Sequence, residues 1–182
     1  MLHIKVPAGE FFNERTQEFV TSKEQDLYME HSLLSISKWE AKWKKSYLSS
    51  TDKTPEEVLD YIRCMTVRPV NVDPSVYQAL TKENIETITN YIQDPMTATT
   101  INTIKRPGRK NEVITSEIVY YWMIAQNIPT EYEKWHINRL LTLIEVCAIK
   151  NDPNPKKMNR QEIARQNRAL NAARRKRYGT RG

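Results

Sequence analysis

The run SEIVYYWMIAQNIPTEYEKWHINRLLTLIEVCAIKN, from Ser116 to Asn151, decides how the chain is read. Its first part is apolar on almost every side, which predicts a buried helix near 116–127 opened by Thr115 or Ser116. In the second part Trp135, Ile137, Leu140, Leu141, Ile144 and Ile149 recur at helical steps. Thr130 with Glu133 fits a capping box ahead of them, so the pattern predicts one long helix over 131–150. Two such helices in succession place the centre of a helical core here.

Working outward, LYMEHSLLSISKWEAKWKKSYL repeats Leu33, Ile36, Trp39 and Trp43 at three- and four-residue steps, the mark of an amphipathic helix near 31–45. TPEEVLDYIRCMT joins a capping Thr54, Pro55 at the first helical position and Glu57 in box geometry, with Val58, Leu59, Ile62 and Met65 as the apolar face. Pro69 and Pro74 bracket a break, after which Asp73 or Thr81 starts short helices within 74–93. Strand-like texture is confined to two places. LHIKVPAGEFFNERTQEFVTS has short apolar runs between turn residues and predicts a two- or three-stranded piece. Thr- and Ile-rich segments around Arg106-Pro107-Gly108-Arg109 predict a β-hairpin over 98–114, with Pro-Gly at the centre of a type II turn. The fold class expected is mainly α: a helical body with a small N-terminal β element, one β-hairpin and a protruding basic C-terminal helix.

A length of 182 residues with 39% hydrophobic and 27% charged side chains suits one domain with a real core. No apolar run approaches the roughly 20 residues of a membrane span, and the N-terminus lacks the layout of a signal peptide. Cys64 and Cys147 show no metal-ligand spacing and read as buried, reduced thiols. Charge is divided unevenly. From Lys156 to Gly182 there are ten Lys or Arg and one acid, a net of +9, leaving 18 basic and 21 acidic residues before it, a net of −3. Asn151-Asp152-Pro153-Asn154-Pro155 reads as a linker, which divides the chain into a body over 1–152 and a linker with a basic helix over 153–182. That helix, near 160–177, is capped by Asn159 with Glu162 and stops near Gly179.

Chemistry-bearing patterns are sparse. Glu30-His31-Ser32 offers acid, base and nucleophile side by side, but adjacent residues do not face one another, so His31 or Ser32 reads as a helix cap. His136 reads as a helix-surface histidine, and His3 carries no argument. Four glycines form no phosphate loop, and Glu56 and Glu57 complement a helix N-terminus. The expectation is no catalytic residue, no metal and no cofactor.

The basic features carry what remains. Arg165, Arg168, Arg174, Arg175, Lys176 and Arg177 form a cationic face for an acidic protein surface, with Trp39 and Trp43 as apolar anchors beside their alternative role as core. The same helix, with Lys105, Arg106, Arg109 and Lys110 on the hairpin tip, could instead meet phosphates. With only Tyr178 beside the arginines, stacking on single-stranded nucleic acid has little support, and the protein partner is preferred. Self-association is left open.

At MEHSLLSISKWEAKW, TPEEVLDYIRCMT and HINRLLTLIEV followed by NRALNAARRKRYGTRG, the chain resembles small proteins encoded among the tail genes of long-tailed bacteriophages, described as tail assembly chaperones or minor tail-region proteins. The resemblance runs over roughly 1–50, 54–66 and 131–182, and the stretch near 70–110 adds little. It implies a non-enzymatic assembly factor that binds tape-measure, tail-tube or other virion proteins in the host cytoplasm, or a component retained in the particle. A chaperone of this kind is expected to expose an apolar groove. The competing expectations are a nucleic-acid-binding module, and a hydrolase working through His31 or His136.

Overall fold

A computed structural model describes residues 1–13, 17–101, 113–152 and 160–179. Among them the chain is rich in helix and carries little sheet. Four strands come first: β1 (Leu2–Val6), β2 (Gly9–Asn13), β3 (Glu18–Ser22) and β4 (Gln25–Met29). Helices α1 (Leu33–Trp43) and α2 (Pro55–Met65) precede β5 (Thr66–Arg68). Then follow α3 (Pro74–Gln78), α4 (Lys82–Gln93), α5 (Ser116–Ala125), a 3-10 turn (Thr130–Lys134), α6 (Ile137–Lys150) and α7 (Arg160–Tyr178).

The strands form two antiparallel units. β1, β4 and β5 make a three-stranded sheet in the order β1-β4-β5, with Ile4 opposite Leu27 and Leu2 opposite Met29, while β2 and β3 pair as a separate hairpin. Period-two alternation turns Ile4, Val6, Leu27 and Met29 inward. β4 and β5 were not expected from sequence. In β4 the alternation Asp26-Leu27-Tyr28-Met29 spans too few residues to stand out, and β5 is a three-residue edge that exists only because β4 is there to pair with it.

Local signals set most helix starts. Ser32 Oγ accepts from Ser35 N at 3.2 Å to open α1. Thr54 and Glu57 complete a reciprocal box at α2, with Glu57 N donating to Thr54 Oγ1 at 3.2 Å and Thr54 N to Glu57 Oε2 at 2.8 Å. Asp73 caps α3, and Thr81 with Asn84 forms a second reciprocal box at α4. The hairpin expected over 98–114 falls almost wholly on 102–112, outside the described residues.

Three expectations are corrected. The long helix over 131–150 is broken: Thr130 and Glu133 form no box, Trp135 is extended, and α6 starts only after His136, whose Nδ1 accepts from Asn138 N at 3.3 Å. A strand-like bridge between Ser32 and His136, with Ile137 N donating to the His31 carbonyl at 2.7 Å, holds that break. The core is shared more widely than the two expected helices: Ile137 and Leu140 of α6 are completely enclosed, but so are Leu33, Ile36 and Trp39 of α1, whereas the large apolar side chains fully buried from α5 are Val119 and Met123 alone. α2 is rotated from its expected face: Glu57, Asp60 and Tyr61 point inward with Ile62 and Met65, and Val58 is exposed.

Candidate functional site

Inward carboxylates need partners, and α1 with the residues just after it supplies them. Lys42 Nζ donates to Asp60 Oδ1 at 2.6 Å, Trp43 Nε1 to Asp60 Oδ2 at 2.9 Å, and Lys45 to Glu57 Oε1. Burial pushes the Asp60 carboxyl up, but the Lys42 and Trp43 hydrogen bonds, with the Lys42 and Arg63 charges, outweigh it and hold Asp60 below its ordinary value. At Glu57 the Lys45 hydrogen bond, followed by the backbone N–H of Thr54, lowers the pKa. The two tryptophans are drawn into this network. Trp39 is 0% exposed with its indole N–H on the Glu57 carbonyl at 2.8 Å, and Trp43 is half-buried on Asp60. Trp39 therefore offers no surface to a partner, which corrects its role as an apolar anchor; its face is already filled by the core.

The histidines expected to act separately are brought together. His31 and His136 are both buried, with ring centroids 5.1 Å apart. Tyr61 O–H meets His31 Nδ1, and His136 Nε2 lies 3.0 Å from the Tyr91 carbonyl, so His136 is a buried cap and not a surface residue. Burial, then the neighbouring His136, pushes His31 down to about 3; burial also lowers His136, against the Tyr91 carbonyl and the Glu30 and Asp94 charges. Glu30-His31-Ser32 forms no triad: Glu30 accepts from Tyr91 O–H at 2.6 Å and Ser32 turns to Ser35. The arrangement fixes the junction of α1, α2, α4 and α6. Cys64 and Cys147 are half-buried and unpaired, and among the described residues no His, Cys, Asp and Glu cluster could hold a metal ion.

Two exposed surfaces stand apart from this packed interior. A cleft of about 880 Å³ opens beside α1, the end of α2 and the Thr66–Val72 segment. Leu34, Val67, Val70 and Val72 line it with Lys38 and Lys134, and Val70 is 79% exposed. Lys38 and Lys134 make no ion pair among the described residues, unlike Lys42 on the same rim. Sequence reading missed this cleft because Val67, Val70 and Val72 sit in a segment read only as a break; three valines within six residues between two helices were the available signal.

α7 is the second surface. Arg165, Arg168, Arg174 and Arg175 are exposed along it, and of its described side chains Leu170 alone is half-buried. Lys176 and Arg177 lie in its last turn. Lys105, Arg106, Arg109 and Lys110 fall outside the described residues, so the structure joins none of them to α7. No described helix is long and apolar enough to cross a membrane. Comparison with protein-family models, curated proteins and solved structures returned no match for the chain.

Proposed function

We propose that the chain is a non-enzymatic bacteriophage assembly protein, a tail assembly chaperone or tail-region component, that binds other phage structural proteins in the host cytoplasm. The sequence resemblance supplies the context. The observation that carries the protein-binding reading is the open cleft, whose apolar wall of Leu34, Val67, Val70 and Val72 is flanked by Lys38 and Lys134, which form no ion pair among the described residues. Such a surface suits a partner segment bearing apolar and acidic side chains, bound against a sheet edge or in a groove. The α7 arginines, with Trp43 at the margin of the α1–α2 network, provide a second contact region of the same sign.

The test is capture of tagged full-length protein, of Val70→Asp, and of a truncation ending at Asn159, co-expressed with tail-tube and tape-measure subunits and treated with nuclease. A tail subunit retained by the full chain and lost from Val70→Asp supports the reading, and its loss from the truncation assigns α7 to the contact. Failure of every tail subunit to be retained rejects it.

A nucleic-acid-binding module is the second reading, favoured by the exposed Arg174 and Arg175 on a helix that carries few acids. It requires association that nuclease abolishes and that weakens steeply with salt, because phosphate neutralisation releases counterions.

A further inference from the structure

We propose that α7 of one copy of this chain docks on the exposed apolar face of α5 in a second copy, so that two molecules exchange their C-terminal helices. The inference names a partner for the α7 face and rests on reading that helix as a protein-binding arm; it does not depend on what fills the cleft.

The receiving face is on α5. Glu117, Tyr121 and Ile124 follow one another at four- and three-residue steps and so share one side of the helix. Tyr121 is 66% exposed and Ile124 71%. Single exposed apolar residues are ordinary, but two large ones on adjacent turns of a helix this apolar leave an unpartnered stripe. Ile149 of α6 is also exposed, and Asn151 just beyond α6 ties the ends of the two helices together, donating to Gln126 Oε1 at 2.9 Å. One carboxylate, Glu117, lies on the stripe itself, and Glu131, Glu133 and Glu145 belong to the segments that follow α5. Glu117, Glu131 and Glu145 form no ion pair among the described residues, and Glu133 accepts only the neutral Tyr120 O–H at 2.8 Å.

α7 has the complementary pattern. Ile163, Leu170 and Ala173 fall at seven- and three-residue steps on one side, Arg174 shares that side four residues after Leu170, and Arg165, Arg168 and Arg175 lie on the rest of the helix surface. Apolar stripe meets apolar stripe, and a tail of net +9 meets a body of net −3. Among the described residues the body leaves most of the helix in solvent: Ile163 is 44% exposed, Leu170 is half-buried, and Arg165, Arg168, Arg174 and Arg175 are exposed. An isolated helix with so many like charges is marginal in water, so docking also supplies its order. Exchange in both directions gives two identical contacts about a two-fold axis, the closed arrangement commonest among homo-oligomers.

The experiment is light scattering after size exclusion, over a concentration series, on three full-length proteins. One is native; one is the arm variant I163D/R174Q; one is the face variant Y121D/I124D. All four positions are exposed, and circular dichroism checks that each variant keeps its helices. The native chain is expected to run at twice the monomer mass, with association weakened at least about tenfold in each variant. An equimolar mixture of the two variants, one keeping its face and the other its arm, is expected to pair again. A native protein that stays monomeric to about 100 μM overturns the proposal. So does a mixture that fails to pair, or a variant that dimerises like the native chain; an arm variant that does so would point to α5 meeting α5. If the native protein is monomeric yet still captures a tail subunit, the exchange falls alone and the assembly reading stands.

Discussion

The imidazoles of His31 and His136 sit 5.1 Å apart at the point where α1 begins and α6 begins. Each is held neutral by burial, one against Tyr61 and the other against the Tyr91 carbonyl. The junction excludes protons that the unfolded chain would accept, and a pH dependence follows.

An unfolded histidine binds a proton near 6.5, whereas folded His31 does so only at about 3. Between those values the unfolded state holds more protons, so stability is present above 6.5 and falls as pH drops, by up to about 1.4 kcal/mol per pH unit for each histidine. Glu57 and Asp60, with lowered values, act in the same direction but only from the ordinary carboxylate range downward. The interval from about 5 to 6.5 therefore belongs to the histidines. Urea midpoints measured across it should fall with acidity, less steeply in His31→Gln; a flat profile would contradict the neutral, buried pair.

Glu40 ties three regions together. Its carboxylate accepts Tyr47 N and Ser116 N, each at 2.7 Å, so a side chain of α1 satisfies the first amide of α5. Glu40→Ala should cost about 2–5 kcal/mol, as two amides lose a charged acceptor, and amide exchange at Ser116 should quicken. Unchanged exchange there would show that the clip is not holding α5.

The two tryptophans should separate by burial. Trp39→Ala removes an enclosed side chain and is expected to cost about 3–5 kcal/mol. Trp43→Phe keeps most of a half-buried ring and loses one hydrogen bond to Asp60, for about 1–2 kcal/mol. Equal losses in denaturant unfolding would refute the assignment of Trp39 to the core.

At α2, Thr54→Ala removes one half of a reciprocal cap and should lower stability by about 1 kcal/mol. Thr54→Ser keeps the acceptor and should restore most of it. A thermal scan of the pair decides the point, since a purely packing role for the threonine methyl would leave serine as damaging as alanine.

Val70→Asp probes the cleft without the fold. At 79% exposure the change should leave stability within about 0.5 kcal/mol, so lost capture of a partner by this variant reports on binding. A large drop in melting temperature would mean that Val70 packs more than its exposure shows.

Sequence and tertiary structure divided the work along a physical line. The starts of α1, α2, α3 and α4 were legible because caps and helical periodicity act within four residues, as at Ser32, Thr54, Asp73 and Thr81. The uneven charge of body and tail was legible for the same reason, being a property of composition. What the sequence could not decide depends on partners far along the chain. Trp135 and His136 have helical neighbours on both sides, yet the bridge to Ser32 breaks the helix between them. α5 is apolar all round, but with α1 and α6 covering only part of it, Tyr121 and Ile124 stay in solvent. Glu57 and Asp60 face inward only because Lys42, Trp43 and Lys45 of another segment meet them there. Local hydrogen bonds are written residue by residue; which face is covered, and which carboxylate or imidazole is buried, is settled only when distant segments close on one another.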